Sequence, residues 1–202
     1  MSRSLLLATS NAGKAAEFRR LLGPFSEICL DLGDFPGFYM PPERGNSFVE
    51  NARDKALSAA AFAGRLALAD DSGLEVDALG GRPGVRSARF AGPEAGDQER
   101  NDKLLEALRE VDDRQRGATF VCALALAEPG PKDGMAVRII EARCRGRIVR
   151  TPRGERGFGY DPLFLHPPTG KTFAQLGEGK HAVSHRGLAF SMLLLHLESR
   201  WA

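Results

Sequence analysis

Residues 68 to 73 read LADDSG, an apolar run that ends in two adjacent carboxylates, Asp70 and Asp71, followed by Ser72 and Gly73. Paired acids repel one another unless something positive lies between them, and a hard cation such as Mg2+ relieves that repulsion. A strand running straight into them would set the charge at a sheet edge, where open α/β folds keep a ligand crevice. Asp, Ser and Gly are equally at home in a solvated turn, so turn chemistry accounts for the same residues.

Upstream, the segment TSNAGK (Thr9, Ser10, Asn11, Ala12, Gly13 and Lys14) lies between a short apolar strand and a helix. Free N–H groups at a helix start, a glycine that allows close approach and a lysine just inside the helix suit a phosphate group. The first glycine of G-x-x-x-x-G-K-[ST] is missing and Ala15 follows the lysine, which argues against a P-loop ATPase. A turn with a surface lysine is the competing reading.

Asn51 and Lys55 are four apart, so they share one helix face, from which the lysine can reach an anion or snorkel to solvent. Ser47 and Glu50 form an S-x-x-E capping box, which leaves Glu43, in PPERG, as the better third carboxylate. In the last third, GFGYDP (157 to 162) and KHAVSHRG (180 to 187) bring aromatic and cationic groups together. Phe158 and Tyr160, spaced by glycines, could sandwich a purine while His185 and Arg186 donate to a carbonyl on its edge. Core packing of the aromatics, and a helix start capped by Ser184, are the alternatives.

The elements that would position these residues alternate between strand and helix. The pattern predicts a strand over Leu5 to Ala8, a turn over Asn11 to Gly13 and a helix from Lys14 to Leu22. A second helix runs from Ser47 to about Phe62, and a strand over Leu66 to Asp70 leads into a turn, with a further short strand at Leu74 to Val76. Asp97 is placed as the cap of a helix ending near Leu108. The nearly unbroken apolar run Ala118 to Ala127 predicts a strand covered on both faces at the centre of the sheet. Ala136 to Arg145 alternates and pairs with it antiparallel through PGPKDG, giving a mixed sheet. Thr151 to Arg186 reads as a loop-rich stretch of the kind that carries function. The final helix carries Leu188, Met192, Leu195 and Leu197 as an apolar stripe.

A chain of 202 residues can build one sizeable core, and no composition shift marks a second domain, so residues 1 to 202 are read as one domain. A net charge of +2 with interspersed signs predicts no nucleic-acid partner. Cys29, Cys122 and Cys144 are odd in number and widely spaced, as buried thiols of a reducing compartment would be. No segment has the length of a signal peptide core or a membrane span, so a cytoplasmic protein without membrane contact is expected.

Taken in order, TSNAGKAAEF, SFVENARDKA, LADDSGLEVDALGGRPGVRSARFAG, GFGYDPLF, KTFAQL and SHRG cover most of the chain. This pattern resembles the inosine triphosphate pyrophosphatase family, and its bacterial branch in particular. The resemblance implies an elongated two-lobed α/β fold around a mixed sheet flanked by helices, with the active-site cleft between the lobes, and a homodimer. It implies Mg2+-dependent hydrolysis of non-standard purine nucleoside triphosphates (of inosine, deoxyinosine or xanthosine) to the monophosphate and pyrophosphate. Thr9 to Lys14 would contact the triphosphate, Ser72 would add a substrate contact, and Phe158, Gly159, Tyr160, Asp161, Lys180, His185 and Arg186 would hold the base side. Glu43 and Asp71 would bind Mg2+, Lys55 would face the phosphates, and Asp71 would accept the proton with Asp70 beside it; because a metal-bound carboxylate is a weaker base, Asp70 is the alternative acceptor. A regulatory module that binds nucleotide without turnover, and a general phosphohydrolase or kinase, are the rivals that product identity separates.

Overall fold

The computed structural model describes residues 4–130 and 134–201. Its strands are β1 (Leu5–Leu7), β2 (Cys29–Leu30), β3 (Leu66–Val76), β4 (Gly117–Pro129), β5 (Met135–Ile148), β6 (Phe164–His166) and β7 (Lys171–Thr172). Its α-helices are α1 (Ala12–Leu22), α2 (Phe48–Ala63), α3 (Asp97–Ala107), α4 (Phe173–Leu176) and α5 (His185–Trp201). The strands form one mixed sheet in the order β2-β1-β3-β4-β5-β6-β7, with β1 parallel to β2 and β3, and β6 antiparallel to β5 and β7. The α/β class with a mixed sheet is therefore as the sequence predicts, and the apolar strand β4 is its middle member. The connection from β4 to β5 is closed by a hydrogen bond from Gly130 N–H to Gly134 C=O, 2.7 Å. So short a link permits only an antiparallel pair. Pro131, Lys132 and Asp133 of PGPKDG lie outside the described residues.

The order of the first three strands fixes where a ligand can approach. From β1 the chain passes through α1 to β2, then back through α2 to β3 on the other side of β1. Both parallel connections are right-handed by the usual rule, and because they run in opposite directions they place α1 and α2 on opposite faces of the sheet. The reversal makes a topological switch point at the carboxyl end of β1, where TSNAGK follows, and β3, paired with β1 through Leu68, carries the acid pair just past that end.

Two compact units are formed. The first takes in the chain through Asp71, Cys122–Ala142 and the residues from Ala189 onward; the second is Ser72–Val121 with Arg143–Leu188. The first has a core of Leu5, Leu7, Phe18, Leu22, Leu68, Leu124, Phe190, Leu193 and Leu197, with the rings of Phe18 and Phe190 5.0 Å apart. The second is built on Leu74, Val76, Leu104, Phe120, Ile148, Phe164 and Phe173, with Phe120 and Phe164 4.6 Å apart. Each fully buried large side chain of this kind contributes about 1.5–3 kcal/mol. Cys122 and Cys144 are buried thiols as expected, while Cys29 is half-buried. No helix among the described residues is long and apolar enough to cross a membrane.

Several local expectations are corrected. The turn expected over Asn11 to Gly13 is the start of α1: Asn11 is its cap, and its side chain accepts the N–H of Lys14 at 2.9 Å. Ser47 caps α2 by accepting from Glu50 N–H at 3.1 Å, but the Glu50 carboxylate takes the N–H of Asn46, so the reciprocal half of the capping box is absent. Asp97 is the first residue of α3 rather than its cap; Gly96 holds that place, its N–H donating to Glu99. On α5, Leu188, Met192 and Leu195 face outward, Leu195 being 68% exposed, and the core face is Ala189, Phe190, Leu193 and Leu197. The helix carries two apolar stripes, and the periodicity alone does not say which one meets the sheet.

Candidate active site

LADDSG is not a turn. β3 continues unbroken from Leu66 through both acids and Gly73 to Val76, so Asp70 and Asp71 lie in mid-strand, both buried. The turn-forming residue types are overridden because β3 is sheet-paired and covered, and its polar side chains find partners in place of water.

Alternation along a strand sends Asp70 and Asp71 to opposite faces, and the two crossover helices each supply a lysine. Lys14 of α1 reaches Asp70, Nζ to Oδ1 2.8 Å. Lys55 of α2 donates to Asp71 Oδ1 at 2.9 Å and to the Asp70 carbonyl at 3.1 Å. Its ammonium also pairs with Glu43 Oε1 at 2.6 Å. Asn51, one turn before Lys55, completes this arrangement from the same helix face: its Nδ2 donates to Asp71 Oδ2 at 3.0 Å and its Oδ1 accepts the Gly45 N–H at 2.8 Å. Asn51 therefore ties the loop that carries Glu43 to the acid pair. The Asn51 and Lys55 spacing pointed to it, but nothing in the sequence named its partner.

Charge and burial set the electrostatics. Burial opposes the Lys55 charge, but Asp71, Asp70 and Glu43 outweigh it and hold the ammonium above its usual range. Burial pushes the Asp71 carboxyl up; Lys55 and Asn51 offset part of that rise and Glu43 adds to it. Three carboxylates meet two ammonium groups, leaving one surplus negative charge before any anion arrives. Glu43 and Asp71 already share one cation, the Lys55 ammonium, and their hard oxygen donors suit Mg2+. No group of three or more His, Cys, Asp or Glu among the described residues can hold a metal. A two-carboxylate site fits Mg2+, which keeps several waters and takes phosphate oxygens from substrate.

The TSNAGK segment lies beside this network within the first unit. Ser10 to Gly13 are exposed, and Thr9 Oγ1 accepts the Asn11 N–H at 3.2 Å. Ala12 and Gly13 stand in the first turn of α1, where a helix has no internal acceptor for its N–H groups. The helix dipole adds positive potential there.

The second unit brings together the residues that the sequence places on the base side. Phe158 is half-buried, with Lys180 Nζ 5.0 Å and Arg186 Cζ 5.6 Å from its ring centroid, inside cation–π range. Asp161 holds the loop that presents it, its Oδ2 accepting from Phe158 N–H at 3.1 Å and from Lys180 Nζ at 2.7 Å. Asp161 and Lys180 thus form a buried pair that shapes the loop. Gly157 has φ +84°, and a Cβ there would collide with the Asp161 carboxylate. His185 is stacked on Phe120, centroids 4.6 Å apart and 7° from parallel, and the Ser184 hydroxyl accepts the Gly187 N–H, so the capped helix start given as the alternative reading is present. Ser72 is half-buried on β3, the first residue of this unit.

Tyr160 corrects the expected sandwich. Its ring is buried in the core and its hydroxyl donates to the Ser87 carbonyl at 3.0 Å, so it offers no open face. Burial also pushes its phenol well above the usual range. Only Phe158 of the two aromatics can stack on a base. Residues that the sequence reading missed support this loop from α3: Asp97 accepts the Gly159 N–H at 2.6 Å, and Asn101 donates to the Gly159 carbonyl at 3.1 Å.

Comparison with known proteins agrees with the motif pattern. A dITP/XTP pyrophosphatase of Desulforamulus reducens is 51% identical over 92% of this chain and 90% of that protein. The dITP/XTP pyrophosphatase of Thermus thermophilus is 51% identical over 94% of this chain and 89% of its own length. The solved structure of a HAM1 protein from Coxiella burnetii superposes with a TM-score of 0.86 at 43% identity, covering 97% of this chain and 98% of that one. Residues 5–196 match the Ham1 family, and the chain belongs to that family.

Proposed function

We propose that the chain hydrolyses non-standard purine nucleoside triphosphates, those of inosine, deoxyinosine and xanthosine, to the nucleoside monophosphate and pyrophosphate. The observation that carries the reading is the acid and lysine network on β3: Glu43, Asp70 and Asp71 against Lys14 and Lys55, beside an exposed helix start. The names of the relatives, dITP/XTP pyrophosphatase, support the substrate class.

In this reading Thr9 to Lys14 receive the triphosphate on the first turn of α1. Lys14 and Lys55 are positioned to neutralise charge that builds on the departing pyrophosphate. Asp71, whose affinity for a proton is raised by burial, orients and deprotonates the water that attacks the α-phosphorus, and Asp70 keeps Lys14 in place beside it. The proton passes from water to the Asp71 carboxylate, and the bond from the α-phosphorus to the bridging oxygen of pyrophosphate breaks. Glu43 and Asp71 would hold Mg2+, which when bound supplies charge neutralisation at the phosphate oxygens. Removal of such nucleotides before they enter DNA or RNA is the role we assign to the activity.

On the base side, Phe158 stacks on the purine and Arg186 or His185 donates to its 6-keto oxygen. An adenine would oppose its amino group to that donor, leaving both unpaired at a cost of about 1–3 kcal/mol. We also assign the chain a homodimeric state, which sedimentation checks directly. The activity is tested by incubating the protein with inosine triphosphate and Mg2+. Equal amounts of monophosphate and pyrophosphate are expected. Absence of products would leave the chain a binding module, and orthophosphate or a phosphorylated acceptor would make it a different phosphotransfer enzyme.

A further inference from the structure

We propose that Asp97 and Asn101 of α3 are positioning residues that set the Phe158 ring for the purine. The inference rests on the base-side reading above. Phe158 is flanked by Gly157 and Gly159, both with positive φ (+84° and +61°), so backbone rotation at either would swing its ring away from Lys180 and Arg186. The Asp161 carboxylate fixes the peptide before Gly159's neighbour by accepting the Phe158 N–H. The two peptides that flank Gly159 are fixed from α3. Asp97 Oδ2 accepts the Gly159 N–H at 2.6 Å, and Asn101 Nδ2 donates to the Gly159 carbonyl at 3.1 Å. Residues 97 and 101 are four apart, so one helix face presents an acceptor and a donor at the spacing of the two backbone groups.

Two further observations mark this contact as more than packing. Asp97 is itself braced, because the Arg100 guanidinium pairs with its Oδ1 while donating to the carbonyls of Ala88 (3.0 Å) and Ala95. The carboxylate therefore approaches Gly159 at a fixed place on a fixed helix. Asn101 is only 4% exposed, and its Oδ1 is buried with no hydrogen-bond partner among the described residues. A leucine of the same branched shape would carry no such unsatisfied acceptor. The amide is accounted for by the bond its other end makes to the loop.

The test compares Asn101→Leu, Asp97→Ala and Asp97→Asn with the unaltered protein, using steady-state hydrolysis of inosine triphosphate and of ATP, with thermal unfolding alongside. Gly159 is half-exposed, so water can reach its carbonyl in Asn101→Leu, and that variant is expected to keep its fold by thermal unfolding. For inosine triphosphate, KM should rise about threefold to tenfold in Asn101→Leu and about tenfold or more in Asp97→Ala, with kcat within about twofold. The ratio of kcat/KM for inosine triphosphate over ATP should fall in both. Asp97→Asn, which keeps an acceptor for the Gly159 N–H, should recover most of the KM. A folded Asn101→Leu with unchanged KM and unchanged base preference overturns the proposal. So does a loss of kcat shared equally by both nucleotides, the mark of a purely structural role. Failure of the unaltered protein to release pyrophosphate would instead remove the underlying reading, and the inference with it.

Discussion

The two units hold their functional side chains by opposite means. In the first, charges hold charges: Asp70 and Asp71 sit in mid-strand and are met by lysines from helices on opposite faces of the sheet, with Asn51 and Glu43 closing the network. In the second, side chains hold backbone. Asp161, Asp97 and Asn101 all bind main-chain groups of residues 158 and 159, so that Phe158 is presented by a loop that would otherwise be soft. An ion network of the first kind can move charge and protons, which suits chemistry at phosphorus. A braced loop of the second kind can only place a surface, which suits recognition.

This contrast can be broken by substitution, and the largest effect belongs to the first unit. Asp71→Asn should lower kcat by about 10²–10⁴-fold, the usual worth of a general base, with KM changed far less and the fold retained by circular dichroism. Near-normal turnover would show that Asp71 is not the base. Phe158→Ala should do the reverse, raising KM for inosine triphosphate by about tenfold or more, as expected for a lost base-stacking contact, while kcat changes little.

Metal and pH sharpen the same division. Stripping divalent cations should abolish turnover but leave binding of inosine monophosphate, measured by calorimetry, largely intact. Because burial raises the folded-state pKa of Asp71, its contribution to stability is fully present below the unfolded value and is lost as pH rises through the raised one. At neutral pH the metal-free carboxylate is therefore a cost that a bound cation relieves. Added Mg2+ should raise the thermal midpoint more at about pH 8 than at about pH 5, because protons compete for the same oxygens. An equal rise at both would place the metal elsewhere.

Changes in stability rather than turnover test the packing corrections. Leu193→Ala, in the core of the first unit, should cost about 2–5 kcal/mol, whereas Leu195→Ala on the outward stripe of the same helix should stay within about 0.5 kcal/mol. Tyr160→Phe should cost about 1 kcal/mol for the lost bond to Ser87 and leave base preference unchanged.

The two units also differ in how far they could be read from sequence. An acid pair at the end of an apolar run announces itself, as does the uninterrupted apolar run of β4, while Lys14 stood out by its place at a helix start and Lys55 by its spacing from Asn51. What was hidden is that LADDSG continues as a strand, because Asp, Ser and Gly carry turn propensity that only sheet pairing overrides. In the second unit the motif GFGYDP was visible, but its supports were not. Asp97 reads as a helix cap and no motif marks Asn101, since their partners are backbone groups 62 and 58 positions away. Tyr160 and Phe158 each follow a glycine, and only the core decides that one is buried and the other presented. On α5 two apolar stripes of similar strength compete, and tertiary packing chooses between them.

The central claim is that water attacks the α-phosphorus of a purine nucleoside triphosphate at the acid pair of the first unit. Hydrolysis of inosine triphosphate in ¹⁸O-enriched water, with mass analysis of both products, tests it directly. The label is expected in the phosphate of inosine monophosphate with pyrophosphate unlabelled; label in pyrophosphate or in orthophosphate would contradict the account.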